Sequence, residues 1–126
     1  MTPVTTSNAP TPAGHYSQAM IHGDLVFVSG QLPIDPATGD KRIGSIEEQT
    51  EQTLRNVEAV LIAAGSGLQK VIKVTVYIAN IDLWGQVNAV YAEIFGDHKP
   101  ARAIVPTRDL HHGFLIEIEV VASVSG

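Results

Sequence analysis

The sequence predicts an α+β fold in which two amphipathic helices cover one face of a mixed sheet of about four to six strands. Two segments repeat apolar residues with the 3.6-residue period of a helix, and several shorter ones alternate apolar and polar residues as strands do. Their order along the chain is β-β-α-β-α-β-β, which is typical of helices gathered on one side of a sheet. The length of 126 residues indicates one domain over residues 1–126.

The composition restricts the function before any motif is considered. The net charge of −5 gives no basic surface excess for a phosphate backbone, which disfavours nucleic-acid binding. The chain has no cysteine, which excludes disulfides, thiolate zinc sites and a cysteine nucleophile. The N-terminal residues show no targeting signal, and no stretch reaches the roughly 20 apolar residues that span a bilayer. We therefore expect a cytoplasmic protein without nucleic-acid or membrane partners.

The first elements are predicted to be a hairpin and a loop. The first dozen residues include three prolines and are predicted to be an extended lead-in. Residues 16–21 and 25–29 have the character of short strands, and the gap between them contains Gly23, which suits a hairpin turn. Residues 32–44 are rich in Pro, Asp and Gly and are predicted to form a loop with tight turns.

Two helices are predicted from capping residues and periodicity. Ser45 begins the first helix, with Glu48 at the spacing of a capping box, and Gly65 ends it. Asp82 is predicted to cap the second helix, which ends at Gly96. The apolar stripes are Leu54, Val57, Leu61 and Ala64 in the first helix, and Trp84, Val87, Tyr91, Ile94 and Phe95 in the second.

Three further strands are predicted over residues 71–78, 101–105 and 114–124. In the first of these, one face is expected to carry Ile72, Val74, Val76 and Ile78. The sheet face away from the helices still carries apolar residues, namely Val71, Tyr77, Leu115 and Val121. Because the chain has no residues left to cover this face, we expect a second copy to do so, and therefore a homo-oligomer.

Standard catalytic motifs are largely absent, and the pair His111-His112 is the obvious candidate for a metal site. Adjacent residues on a strand point to opposite faces, so both could bind one ion only from a loop. The other three histidines are scattered along the chain. A solvated loop is therefore favoured, and we expect no metal.

Three charged residues in the C-terminal part of the chain could have either a functional or a structural role. Glu117 and Glu119 lie two positions apart on a predicted strand, so they share the sheet face expected to be covered. A buried carboxylate needs hydrogen-bond donors or a function. Arg102 begins an apolar strand and could either clamp a carboxylate or pair with Glu117. From these residues alone, a structural role is favoured for the glutamates and an internal ion pair for the arginine.

A longer pattern is more specific than any of these residues by itself. Its core is Pro100-Ala101-Arg102-Ala103, then Val105, Arg108 and Leu110, then Ile116-Glu117-Ile118. This pattern resembles the signature of the RidA family, also called YjgF or L-PSP endoribonuclease-like proteins. The resemblance covers nearly the whole chain, with further matches at Asn8-Ala9-Pro10, Gly14-x-Tyr16-x-Gln18, residues 28–33, Gln52-Thr53, Asn56, residues 63–65, residues 73–76 and Val87-Asn88-x-x-Tyr91.

The resemblance implies a chorismate-mutase-like α+β fold that assembles as a homotrimer with clefts between subunits. It also implies hydrolysis of 2-imino and enamine acids to 2-keto acids and ammonia without a cofactor. By match with the family, Arg102 would hold the substrate carboxylate and Glu117 would activate water, whereas Glu119 is left as structural. The remaining substrate contacts implied by the match are Tyr16, Ser29, Gly30 and Asn88.

The sequence departs from the family pattern around the expected mouth of the cleft, which leaves the substrate open. The departures are His15, Ile104, Pro106 and residues 111–113. One alternative function is the ribonuclease activity attributed to some family members, which the acidic balance disfavours. Another is a non-catalytic trimer that binds small carboxylates. Arg102 would serve a binding protein equally well, whereas only catalysis requires Glu117.

Overall fold

The described residues form two α-helices packed on one face of a six-stranded mixed sheet. The computed structural model describes residues 1–41 and 43–125, so Arg42 of the predicted loop and the terminal Gly126 lie outside the described residues. The helices are α1 (Ile46–Ala63) and α2 (Trp84–Phe95), and the strands are β1 (Thr2–Val4), β2 (Ala19–His22), β3 (Leu25–Gln31), β4 (Val71–Ile78), β5 (Ala101–Pro106) and β6 (Ile116–Ser123). The α+β fold predicted from the sequence is confirmed.

The sheet has the strand order β1-β2-β3-β6-β4-β5. Its neighbours are antiparallel except for β4 and β5, which are parallel. The edge strand β1 was not predicted as a strand, because the sequence indicated only an extended lead-in there, and in the structure Pro3 lies opposite Met20. A proline is tolerated at this position because an edge strand needs only one of its two sides for hydrogen bonds.

The beginning of α1 agrees with the predicted capping box, whereas the beginning of α2 does not. Ser45 Oγ accepts a hydrogen bond from Glu48 N at 3.1 Å. Before α2, a 3₁₀ turn spans Ile81–Leu83, and Asn80 Oδ1 accepts from Asp82 N at 2.9 Å. The prediction that Asp82 caps α2 is therefore wrong, because Asn80 caps the preceding turn instead.

A bulge in β4 changes which of its side chains enter the core. Val71 pairs with Ala122 and Lys73 pairs with Val121, so Ile72 is an extra residue between them. As a result Val71 is buried in the core and Ile72 is 47% exposed, which reverses the positions predicted for both. Beyond the bulge, the predicted alternation holds, with Val74, Val76 and Ile78 buried.

The sheet face away from the helices retains exposed apolar side chains. Phe27 of β3 is 45% exposed and lies opposite Val121 of β6, while Val105 of β5 is exposed beside Tyr77. The homo-oligomer expected from this face stays a prediction. Within the described ranges, neither helix combines the length and the hydropathy needed to cross a bilayer. The cytoplasmic location also stays a prediction.

Candidate functional site

The residues predicted to form the site line two separate cavities of the chain. A cavity of about 600 Å³ is lined on one side by Tyr16, Ser29, Gly30 and Glu117. A cavity of about 440 Å³ is lined by Asn88 and Arg102. The chain therefore groups the predicted residues into two sets, and neither cavity contains both Arg102 and Glu117.

The register of β4 with its two neighbours explains this separation. Arg102 lies beside Val74, which is buried against the helices, whereas Glu117 lies opposite Tyr77. Val74 and Tyr77 are an odd number of residues apart on one regular strand, so their side chains project from opposite faces. Arg102 and Glu117 are consequently on opposite faces of the sheet. The internal ion pair between them that the residues alone favoured is wrong.

The guanidinium of Arg102 is held by neutral groups of α2. Its Nη1 atom donates a hydrogen bond to Asn88 Oδ1 at 2.9 Å. Its Cζ atom lies 4.7 Å from the ring centroid of Tyr91 and 5.6 Å from that of Trp84. No carboxylate oxygen of the described residues lies within ion-pair distance of it. Because a guanidinium has five N–H donors, most of its hydrogen-bonding capacity remains available for a planar anion.

Glu117 is a half-buried carboxyl that is fitted against a glycine. A Cβ at Gly30 would lie 3.0 Å from Glu117 Cδ and would overlap with Oε2. Burial raises the pKa of Glu117, the negative charge of Glu119 raises it further, and His111 acts in the opposite direction. A carboxyl with a raised pKa can both accept and return a proton closer to neutral pH than an ordinary one.

Glu119 has a partner within the sheet, unlike Glu117. Tyr77 Oη donates a hydrogen bond to Glu119 Oε1 at 2.6 Å, and this bond is the main cause of the raised pKa of Tyr77. The two carboxyls share one face and one cavity. Glu119 therefore has an internal hydrogen bond beside Glu117, and a structural role for Glu119 agrees with that contact.

The hydroxyl group of Ser29 donates its hydrogen bond to a backbone carbonyl oxygen of the same chain. Ser29 Oγ donates to the carbonyl oxygen of Ser17 at 2.6 Å, so towards the cavity this oxygen can only accept. The nearby Tyr16 is exposed, and its ring lies close to Gly14. The cavity therefore offers a hydroxyl acceptor from Ser29 and an exposed phenol from Tyr16 in addition to the carboxyl of Glu117.

Gln18 anchors the N-terminal wall of the Glu117 cavity, a role that sequence reasoning missed. Its Oε1 atom accepts from Thr6 N at 2.7 Å, and its Nε2 atom donates to the carbonyl oxygens of Thr6 at 3.0 Å and Pro10 at 2.9 Å. Gln18 is buried, and a buried amide must satisfy these groups. The Gly-x-Tyr-x-Gln match pointed to this residue without indicating its partners.

Asn56 of α1 anchors another part of the wall of this cavity. Its Nδ2 atom donates to the carbonyl oxygens of Leu32 and Ile34, each at 2.9 Å. Both of these residues line the Glu117 cavity. The sequence could have indicated this role, because Asn56 lies between the core positions Leu54 and Val57, and a buried polar side chain needs a hydrogen-bond partner.

The loop before β6 lies at the rim of the same cavity. His111 and His112 both line it from the 3₁₀ turn His111–Gly113, and both are exposed, as predicted for a solvated loop. Their ring centroids are 4.0 Å apart. Across residues 1–41 and 43–125, no three His, Cys, Asp or Glu side chains are placed to hold a metal ion. The expectation that the protein needs no metal stays a prediction.

Comparisons with known proteins agree over nearly the whole chain. The family described as Endoribonuclease L-PSP matches residues 6–124. A RutC family protein from Pyrococcus horikoshii is 50% identical over 119 residues, which is 94% of each chain. YyfA of the Rid family from Yersinia pestis has a TM-score of 0.95 at 44% identity, with 98% of each chain covered. E. coli TdcF with bound serine has a TM-score of 0.94 at 34% identity, covering 99% of this chain and all of TdcF. The protein is therefore a member of the L-PSP family, also called YjgF or RidA.

Proposed function

We propose that the protein is a deaminase that hydrolyses reactive 2-imino and enamine acids to 2-keto acids and ammonia. The observation that carries this proposal is the guanidinium of Arg102, which faces a cavity without a carboxylate partner among the described residues. A planar cation held in this way suits the carboxylate that 2-imino acids and their products share. The serine bound to E. coli TdcF likewise carries a carboxylate on a small carbon skeleton, in agreement with a ligand of this class.

The site is proposed to form between subunits of a homotrimer. A 2-imino acid is only a few atoms long, so it cannot reach Arg102 and Glu117 through the sheet that separates them in one chain. It can reach both if the Arg102 cavity of one subunit meets the Glu117 cavity of the next. Such a contact joins two different surfaces, and contacts of this type form a ring when the rotation from one subunit to the next closes. A ring of three would contain three such clefts.

The reaction can be balanced with the groups that the two cavities provide. Arg102 binds the substrate carboxylate and so fixes the position of the C=N carbon. Glu117 removes a proton from water as the water oxygen bonds to this carbon and the C=N electron pair moves to nitrogen. Glu117 then returns this proton to nitrogen, which gives a neutral carbinolamine. Glu117 next takes the hydroxyl proton as the C=O bond forms and passes it to nitrogen as the C–N bond breaks, so that ammonia leaves. The products are the 2-keto acid and ammonia, and water supplies every added atom, so the reaction requires no cofactor.

The other predicted residues have supporting roles in this mechanism. Asn88 accepts one hydrogen bond from Arg102 and so limits its rotation. Ser29 Oγ can accept from the attacking water or from the substrate N–H, since its own proton is bound to Ser17 O. Tyr16 offers a phenol donor, and the missing side chain at Gly30 leaves room for the carboxyl of Glu117.

The deciding experiment generates 2-iminobutanoate in situ and follows its disappearance with and without the protein. We expect faster loss of the imine with stoichiometric formation of 2-ketobutyrate. No acceleration, together with retained binding of 2-ketobutyrate, would instead identify a non-catalytic carboxylate-binding protein. Cleavage of RNA without acceleration of imine hydrolysis would identify a ribonuclease, the activity named in the family description.

A further inference from the structure

Trp84 is the tryptophan that the sequence placed in the apolar stripe of α2, yet its position is not explained by the core. It is 42% exposed, whereas Val87, Tyr91 and Phe95 of the same helix are buried. It occupies the first turn of α2 and is not among the buried residues of that helix. The contact that it does make is with Arg102, whose Cζ atom lies 5.6 Å from the centroid of the indole.

Tyr91 gives the same guanidinium a second aromatic neighbour. The Cζ atom of Arg102 lies 4.7 Å from the Tyr91 ring centroid, and both distances are within the range of cation–π attraction. The phenol oxygen of Tyr91 is buried without a hydrogen-bond partner among the described residues, so the contribution of Tyr91 to this cluster comes from its ring. Trp84 and Tyr91 lie seven positions apart, which places both on one face of α2.

These contacts leave most of the N–H donors of the Arg102 guanidinium available for a ligand. Aromatic rings attract this cation through their π electrons and accept no N–H···O hydrogen bond from it. Asn88 takes one donor of Nη1. The remaining N–H groups lie in the plane of the guanidinium, where a carboxylate forms its two parallel hydrogen bonds. A side chain held by rings thus keeps the donors that a salt bridge would occupy.

We infer that Trp84, together with Tyr91, is a positioning residue that orients the guanidinium of Arg102 for bidentate binding of a carboxylate. The ligand class rests on the proposed function, whereas the orientation of Arg102 does not. Trp84 acts through Arg102 and needs no contact with the ligand. Loss of the indole should therefore weaken ligand binding and raise KM more than it lowers kcat, because Glu117 is unaffected.

The test compares two substitutions that differ in aromatic character. Trp84→Phe keeps a ring, whereas Trp84→Leu keeps apolar volume without π electrons. We expect Trp84→Leu to weaken 2-ketobutyrate binding by about two- to fivefold, with Trp84→Phe recovering most of the affinity. Ile81→Ala is the matched control, because Ile81 is an exposed apolar residue in the turn before α2. Titration calorimetry measures the affinities, and light scattering checks that all variants have the same mass.

A second readout needs no ligand and keeps this inference separate from the proposed function. In arginine-labelled protein, restricted rotation about the Nε–Cζ bond of Arg102 separates the resonances of its Nη protons. We expect separate resonances in the native protein and Trp84→Phe, and averaged ones in Trp84→Leu. Identical resonances in Trp84→Leu and the native protein would overturn the inference, as would equal affinities of the Leu and Phe variants. Native protein that shows the NMR effect but does not bind 2-ketobutyrate would support the positioning role and reject the proposed function.

Discussion

The carboxyl of Glu117 lies directly against the backbone of Gly30, in space that any other residue at position 30 would fill with its Cβ atom. The obstacle is the end of a flexible side chain and not the backbone. A substitution at position 30 would therefore be accommodated by displacement of Glu117. The contact makes the position of the proposed catalytic carboxyl depend on a glycine that lies on another strand.

Gly30→Ala should separate folding from catalysis. The added methyl group displaces the Glu117 carboxyl while β3 and the core stay intact, so we expect turnover of 2-iminobutanoate to fall at least about tenfold. The melting temperature should change by only a few degrees, since the methyl group meets a movable side chain. A Gly30→Ala protein with native turnover would show that the exact position of Glu117 is unimportant.

Arg102→Ala should abolish the recognition of carboxylates. It removes a charge-assisted bidentate contact worth about 2–5 kcal/mol once both groups are desolvated, so 2-ketobutyrate binding and turnover should be lost together. Arg102→Lys should not restore them, because a point charge cannot reproduce the planar fork. Calorimetric titration of well-folded variants measures the effect. Native affinity in the alanine variant would exclude the carboxylate clamp.

Glu117→Gln should remove catalysis and leave binding. Glutamine keeps the shape of the side chain but cannot accept the proton of water, so turnover should fall by about 10²–10⁴ while 2-ketobutyrate still binds. A native imine-hydrolysis rate in this variant would remove Glu117 from the mechanism.

Glu117→Gln should also change the thermal stability of the protein in a pH-dependent way. The pKa of Glu117 is raised in the folded state, so its stabilising contribution is present below the unfolded-state pKa and is lost as pH rises through the folded-state pKa. We therefore expect Glu117→Gln to melt higher than the native protein near neutral pH, with the difference closing in acid.

The acidic limb of the pH–rate profile should respond to Glu119. Glu117 must be ionised to act as a base, and the charge of Glu119 is one of the causes that raise its pKa. Glu119→Gln removes that charge, so the acidic limb of kcat/KM should move to lower pH. Tyr77→Phe is a useful control, because it removes the hydrogen bond to Glu119 but keeps the negative charge. An unmoved limb in Glu119→Gln would mean that Glu117 is not the group that titrates.

Mixing two inactive variants tests whether the site forms between subunits. Light scattering should first give a mass of about three chains. In trimers reassembled from equal amounts of Arg102→Ala and Glu117→Gln chains, about one cleft in four should combine a native Arg102 with a native Glu117. We expect a corresponding fraction of the native activity to return on mixing. Each variant reassembled by itself is the control. No recovery from mixed trimers of verified composition would exclude a site that combines Arg102 of one subunit with Glu117 of another.

Local patterns predicted much of the fold because helix capping and strand alternation depend on residues only a few positions apart. The capping box at Ser45 and the buried positions Val74, Val76 and Ile78 are examples. The predictions failed where a residue distant in the chain, or a competing neighbour, determines the local structure. The bulge at Ile72 exists because β6 pairs with β4 in a register that skips this residue, and no local pattern in β4 records it.

By itself, the sequence determined the α+β class and, through its family pattern, selected Arg102 and Glu117 as the residues to examine. Only the tertiary structure decided how they are arranged. Arg102 lies beside Val74 and Glu117 lies opposite Tyr77, because β5 and β6 pair with β4 in particular registers. Register depends on contacts between residues that are far apart in the chain, and a shift of one residue would reverse the face of every side chain. For that reason the separation of the two charged groups across the sheet, and the aromatic contacts that hold Arg102, became visible only in the folded chain.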